Sequence, residues 1–141
     1  MEFLLYLSPQ GQQIVRDMIS AKFHIQENVG LCQNNQVFGY TDIPRKFVVC
    51  TKNIKNGGWN MQHYISETVY HEATHAAQIC RGNEPLGLSA KSMPLPSNKL
   101  QDIRNSVNTT KSYKAVQKEH EAYYFENKPT QVRYYVRKFC F

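Results

Sequence analysis

His71-Glu72-Ala73-Thr74-His75 sets two imidazoles four residues apart, with a carboxylate directly after the first. On an α-helix, residues at that spacing lie one above the other on one face. Two such rings can hold one Zn²⁺ through nitrogens at about 2.0–2.1 Å. Glu72 projects from a neighbouring part of the same turn, where it reaches a water bound to the ion rather than the ion itself. The chemistry supported is metal-assisted hydrolysis.

The flanks must supply the helix, and they do. No Gly or Pro interrupts residues 65–81, and Ile65, Val69, Ala73 or Ala76, and Cys80 recur at helical spacing to form an apolar stripe. The histidine face is offset from that stripe and continues through Thr68 and Gln78. Arg81 followed by Gly82 reads as the helix stop.

A catalytic zinc takes three protein ligands and leaves a fourth position for water. The extended pattern with a third histidine is excluded, because Gln78 stands at its glycine position and Arg81 at its histidine position. A later helix is the other supplier. Residues 118–126 carry Glu119, His120 and Glu121, and Glu119, Ala122, Tyr123 and Glu126 share one helical face. A small residue at Ala122 lets this helix approach the first closely, which makes Glu119 the preferred third ligand. Glu121 lies about 200° away around the helix and is the alternative, with His120 third. Glu126 is a candidate to orient a histidine ligand. Tyr123, Tyr124 and His63 are candidate donors to an oxyanion.

The rest of the chain must position this machinery. Its 141 residues suit one domain with a real core. Nine Tyr, seven Phe and one Trp argue against disorder. The fold class expected is α+β: a single zincin-like domain over residues 1–141, with a short antiparallel or mixed sheet against the histidine helix and the glutamate helix. Ser8-Pro9 opens a helix to about Ser20. Strands are expected around Phe23–Val29 and Val37–Tyr40, and most clearly at Phe47, Val48, Val49, Cys50 and Thr51 after Lys46. Residues 53–60 and 105–112 read as loops, the second including the sequon Asn108-Thr109-Thr110. Residues 82–97, with Pro85, Gly87, Pro94 and Pro96, form a long connection. A short helix from Ser97, a helix from Ser112 and a last helix or strand through Val132 and Val136 complete the chain.

The net charge is +6 with pI near 9.2. Arg133, Arg137 and Lys138 cluster, but no nucleic-acid motif accompanies them, so a nucleic-acid partner is not expected. No segment approaches the length of a membrane span, and the N-terminus lacks a basic stretch and a cleavage site, so a cytoplasmic location is expected. Cys32, Cys50, Cys80 and Cys140 form no CxxC pair. They are expected to be buried free thiols, with a Cys50–Cys80 bridge as the alternative in an oxidising compartment.

With HExxH and Glu119-x-x-Ala122 together, the chain resembles a minimal gluzincin metallopeptidase. Residues 47–53, then 71–76, then Cys80-Arg81, are similar to the mitochondrial metallopeptidases that process an ATP synthase subunit and assist its assembly. The clan resemblance implies that the strand of Phe47, Val48, Val49, Cys50 and Thr51 is a sheet edge that binds extended peptide by β-augmentation. It also implies a zinc peptidase with one ion per chain on His71, His75 and Glu119, acting on a peptide or protein substrate. The ion lowers the pKa of its water toward about 7, and Glu72 takes the proton and delivers it to the leaving amine. The competing expectations are a zincin-fold binding or assembly factor with little proteolysis, and a basic nucleic-acid-associated protein.

Overall fold

In the computed structural model, residues 1–58, 60–107 and 112–141 are described. The sequon at Asn108 and Trp59 of the first expected loop lie outside them. The protein is α+β, with six α-helices and a three-stranded mixed sheet among these residues.

The element that organises the molecule is α3 (Met61–Cys80). It begins four residues earlier than the apolar stripe requires because the Asn60 side chain accepts from the His63 backbone N–H at 3.1 Å and caps it. It ends where Gly82 takes a φ of +81°, a left-handed conformation that glycine adopts without steric cost. Ile65, Val69, Ala73, Ala76 and Ala77 are fully buried along one side. That side packs on α1 (Pro9–Ser20) and α6 (Pro129–Cys140), and other faces of α3 meet α5 (Tyr113–Phe125) and the sheet. One apolar cluster runs through all of these, from Phe3 to Val136. The last segment, open between helix and strand in sequence, is helical, because Val132 and Val136 at i,i+4 are both buried in this cluster.

The sheet order is β1-β3-β2, with β1 at His24–Glu27, β2 at Gly39–Asp42 and β3 at Lys46–Val49. β3 runs parallel to β1, with Ile25 beside Phe47, and antiparallel to β2, with Tyr40 beside Val48. The strand expected at the edge is therefore the central one. Phe47, Val48 and Val49 are each 0 % exposed; a continuous apolar run of this kind is buried on both faces, and both its backbone edges are paired. Cys50 and Thr51 are not in the strand. Cys50 precedes α2 (Thr51–Asn56), a helix where a loop was expected. It forms because Asn28 Oδ1 accepts from Lys52 N–H at 2.9 Å, while Asn53 Nδ2 reaches the carbonyls of Cys32, Asn35 and Val37 and fastens the approach to β2. α4 (Ser97–Val107) follows the long connection.

The cysteines are not free thiols, and Cys50 does not pair with Cys80. The bridges are Cys32–Cys50 and Cys80–Cys140, with Cα atoms 5.3 and 5.0 Å apart. The packing of α6 on α3 brings Cys140 to Cys80, a pairing with no local trace. On loop-closure entropy, the Cys80–Cys140 bridge, spanning 60 residues, contributes about 4 kcal/mol, and Cys32–Cys50, spanning 18, about 3 kcal/mol. Denaturant unfolding with and without reductant is expected to show a loss of this order. No helix among the described residues is long and apolar enough to cross a membrane. Of the basic cluster, Arg133 and Arg137 turn inward to the buried carboxylate of Asp17.

Candidate metal centre

α3 presents His71 and His75 on the side away from its apolar stripe, and α5 brings Glu119 to them. One donor atom from each of the three lies within 4.8 Å of the other two. Glu119 bridges the rings: Oε1 is 2.6 Å from His75 Nε2, and Oε2 is 3.6 Å from His71 Nε2. The fully buried Ala122, one turn along α5, is the small residue at this helix contact.

The outer nitrogens are also engaged. His71 Nδ1 is 3.1 Å from Glu126 Oε1, and the other Glu126 oxygen accepts from Lys99 Nζ at 2.6 Å. His75 Nδ1 is 2.7 Å from Gln78 Oε1. Two Nε2 atoms and one carboxylate, with each Nδ1 held from outside, match in type the His₂Glu ligands and outer partners that zinc takes in catalytic sites. The residues present fit that ion.

Burial of the His71 ring opposes its charged form, but hydrogen bonds with Glu119 and Glu126 outweigh this and hold it well above the usual imidazole pKa. Burial likewise opposes charge on His75, and the Glu119 carboxylate overcomes it and raises that ring too. The Glu119 carboxyl, despite burial, is held far below its ordinary range by the two imidazoles. Raised folded-state values stabilise the metal-free fold below the unfolded imidazole pKa of about 6.5, and this contribution is lost as pH rises through the folded values. Zinc binding runs the other way, because the nitrogens must give up protons. In chelator, His71→Ala is therefore expected to cost more stability at about pH 6 than at about pH 9, while wild-type zinc affinity rises over the same interval. Thermal unfolding and chelator competition check the two signs.

Glu72 lies beside this cluster, 8 % exposed. The Thr41 hydroxyl on β2 is 2.8 Å from Glu72 Oε1 and 3.0 Å from the Glu72 carbonyl oxygen. This contact exists because β2 lies directly on α3, and only Gly39 permits it. A Cβ there would stand 2.7 Å from Thr68 Cγ2 and 2.9 Å from the Val48 carbonyl oxygen. β2, Glu72, the three candidate ligands and Tyr123 line one cleft of about 730 Å³.

The remaining candidates separate. Tyr123 packs edge-on against His71, with ring centroids 4.6 Å apart. Burial first, and the charge of Glu119 among others, push its hydroxyl up to about 12, against a hydrogen bond with Ser106, so it stays protonated at neutral pH. Tyr124 instead packs on Phe125 and under Lys128 Nζ. His63 faces Glu67 two turns before His71 and lines a different depression. His120 Nε2 contacts the Met93 carbonyl at 2.7 Å. Glu121 is fully buried on another face of α5, where it accepts from Gln78 Nε2 of α3 and the backbone N–H groups of Leu86, Gly87 and Leu88. It anchors the long connection and does not join the cluster.

Sequence reasoning missed three contributors. Gln78 had a signal, since it stands three residues after His75 on the same face. Thr41 and Gly39 had none, because their importance depends on where β2 lands.

No curated protein and no solved structure matches this chain. One family model, described as a domain of unknown function (DUF8637), matches residues 3–141, nearly the whole sequence, and the chain belongs to that family.

Proposed function

We propose that this protein is a zinc-dependent peptidase of gluzincin type, with a zincin-like arrangement of helix, sheet edge and glutamate helix. The observation that carries the reading is the convergence of His71, His75 and Glu119, from two separate helices, beside Glu72 in one cleft. His71, His75 and Glu119 would hold one ion per chain. Zinc held there would supply Lewis-acid chemistry, a lowered pKa for a bound water and polarisation of a carbonyl.

The protein's own residues do the rest. Glu72 takes a proton at one carboxylate oxygen and passes it to the leaving amine. Thr41 holds Oε1 of that carboxylate, so the group acts from one orientation. Tyr123, protonated and against His71, is the donor toward charge that develops on the carbonyl oxygen. The substrate strand is reassigned from β3 to β2, which is an edge of the sheet and lines the cleft. An extended peptide would pair along Gly39–Asp42.

The narrower resemblance to ATP-synthase-processing enzymes rests on residues 47–53, 71–76 and Cys80-Arg81. Two disulfides support an oxidising compartment rather than the cytoplasm.

The test is zinc content and cleavage of a mixed peptide library by the wild type, His71→Ala and Glu119→Ala. One zinc per wild-type chain, lost with cleavage in both variants, is expected. A wild type that takes up zinc and cleaves nothing would return the binding-factor reading. Full zinc occupancy in Glu119→Ala would overturn the ligand set.

A further inference from the structure

We propose that Gln78 is a positioning residue for the metal centre, set by Glu121, and that the same carboxylate couples residues 86–88 to His75. This rests on the metal-binding reading above.

Gln78 is 1 % exposed. A side-chain amide offers two N–H donors and one oxygen acceptor. Here Nε2 faces two acceptors, the Lys118 carbonyl at 3.0 Å and Glu121 Oε1 at 2.8 Å. Neither can donate, since one is a carbonyl and the other a carboxylate already gathering backbone N–H groups. A flipped amide would set its oxygen against both. The oxygen must therefore face His75 Nδ1, at 2.7 Å. An oxygen there accepts, so the imidazole proton resides on Nδ1. In the neutral ring the lone pair is then on Nε2, the atom that faces Glu119.

The orientation originates in Glu121. Its carboxylate is fully buried and also accepts from Leu86 N–H at 2.8 Å, Gly87 N–H at 3.1 Å and Leu88 N–H at 3.4 Å. Only an acceptor-only group satisfies four donors at once. The docking of the 86–88 segment and the tautomer of His75 thus share one anionic group. His71 uses a different device, a carboxylate directly on Nδ1.

The experiment compares the wild type, Gln78→Met and Glu121→Gln, with Met93→Ala as a buried control distant from His75 in the hydrogen-bond chain. Zinc affinity is read by chelator competition. The His75 tautomer is read by ¹⁵N NMR on metal-free protein in alkaline buffer, where the ring is neutral. Gln78→Met is expected to lose about 10- to 100-fold in zinc affinity and to mix the two tautomers, while Met93→Ala loses stability and keeps its zinc affinity. Wild-type affinity in Gln78→Met, or an unchanged Nδ1–H tautomer, would overturn the proposal. If Glu121→Gln does not fold, Gln78→Met decides alone. If the wild type itself takes up no zinc, the peptidase reading fails, and the tautomer still decides the positioning role.

Discussion

Glu72→Gln is expected to lose roughly 10²–10⁴-fold in peptide cleavage at neutral pH while keeping its zinc and its thermal stability. The substitution preserves shape. A glutamine oxygen still accepts from the Thr41 hydroxyl that now approaches Oε1 at 2.8 Å, so neither the β2 contact nor the helix is disturbed. What is lost is the ability to take a proton. The loss should therefore appear in kcat, with little change in KM, since no binding contact is removed. Cleavage, zinc stoichiometry and unfolding temperature measured on one preparation separate this from misfolding. A variant that cleaves as the wild type does would sink the mechanism, because no other carboxylate is held at that place by β2.

Gly39→Ala is expected to damage both stability and activity, although it adds a single methyl group. Its Cβ would meet Thr68 Cγ2 at 2.7 Å and the Val48 carbonyl oxygen at 2.9 Å, closer than unstrained contacts allow. Overpacking of this kind costs about 1–3 kcal/mol. The functional loss should exceed that, since β2 relieves the clash by lifting off α3 and carries Thr41 away from Glu72. Thr68→Ala in the same chain should restore only part of the stability, because the Val48 carbonyl is backbone of the central strand and cannot be trimmed. Unfolding in denaturant and cleavage by the folded fraction check both parts. A Gly39→Ala protein with wild-type stability and activity would show that β2 does not rest on α3 as described.

The two variants probe different layers of the same site, and they differ in how far they could be foreseen. Glu72 was legible because its role follows from a helix and a spacing. Gly39 was not, because a glycine at the start of a short strand resembles any other until the neighbour it must clear is known. Glu119 and Glu121 lie between these cases. The helical period separates them by about 200°, so only one could face the two histidines. Which one depends on how α5 rolls against α3 at Ala122, and Gln78 and the 86–88 backbone take up the other. The strand order shows a signal read the wrong way. The uninterrupted Phe47-Val48-Val49 run is the mark of a strand buried on both faces, and it belonged in the middle of the sheet.

By itself, the sequence determined the local chemistry: a capped helix, His71 and His75 stacked on one face of it, Glu72 beside them, and a second helix with carboxylates to offer. These follow from interactions within a few residues, where periodicity and capping act. The tertiary structure alone decided that Glu119 joins the histidines and Glu121 does not. It also decided that β2 rather than β3 borders the cleft, that Thr41 and Gln78 orient the working groups, and that Cys80 meets Cys140. Each of these depends on packing between elements far apart in the chain, where contact is set by the shape of the whole core and no short spacing records it.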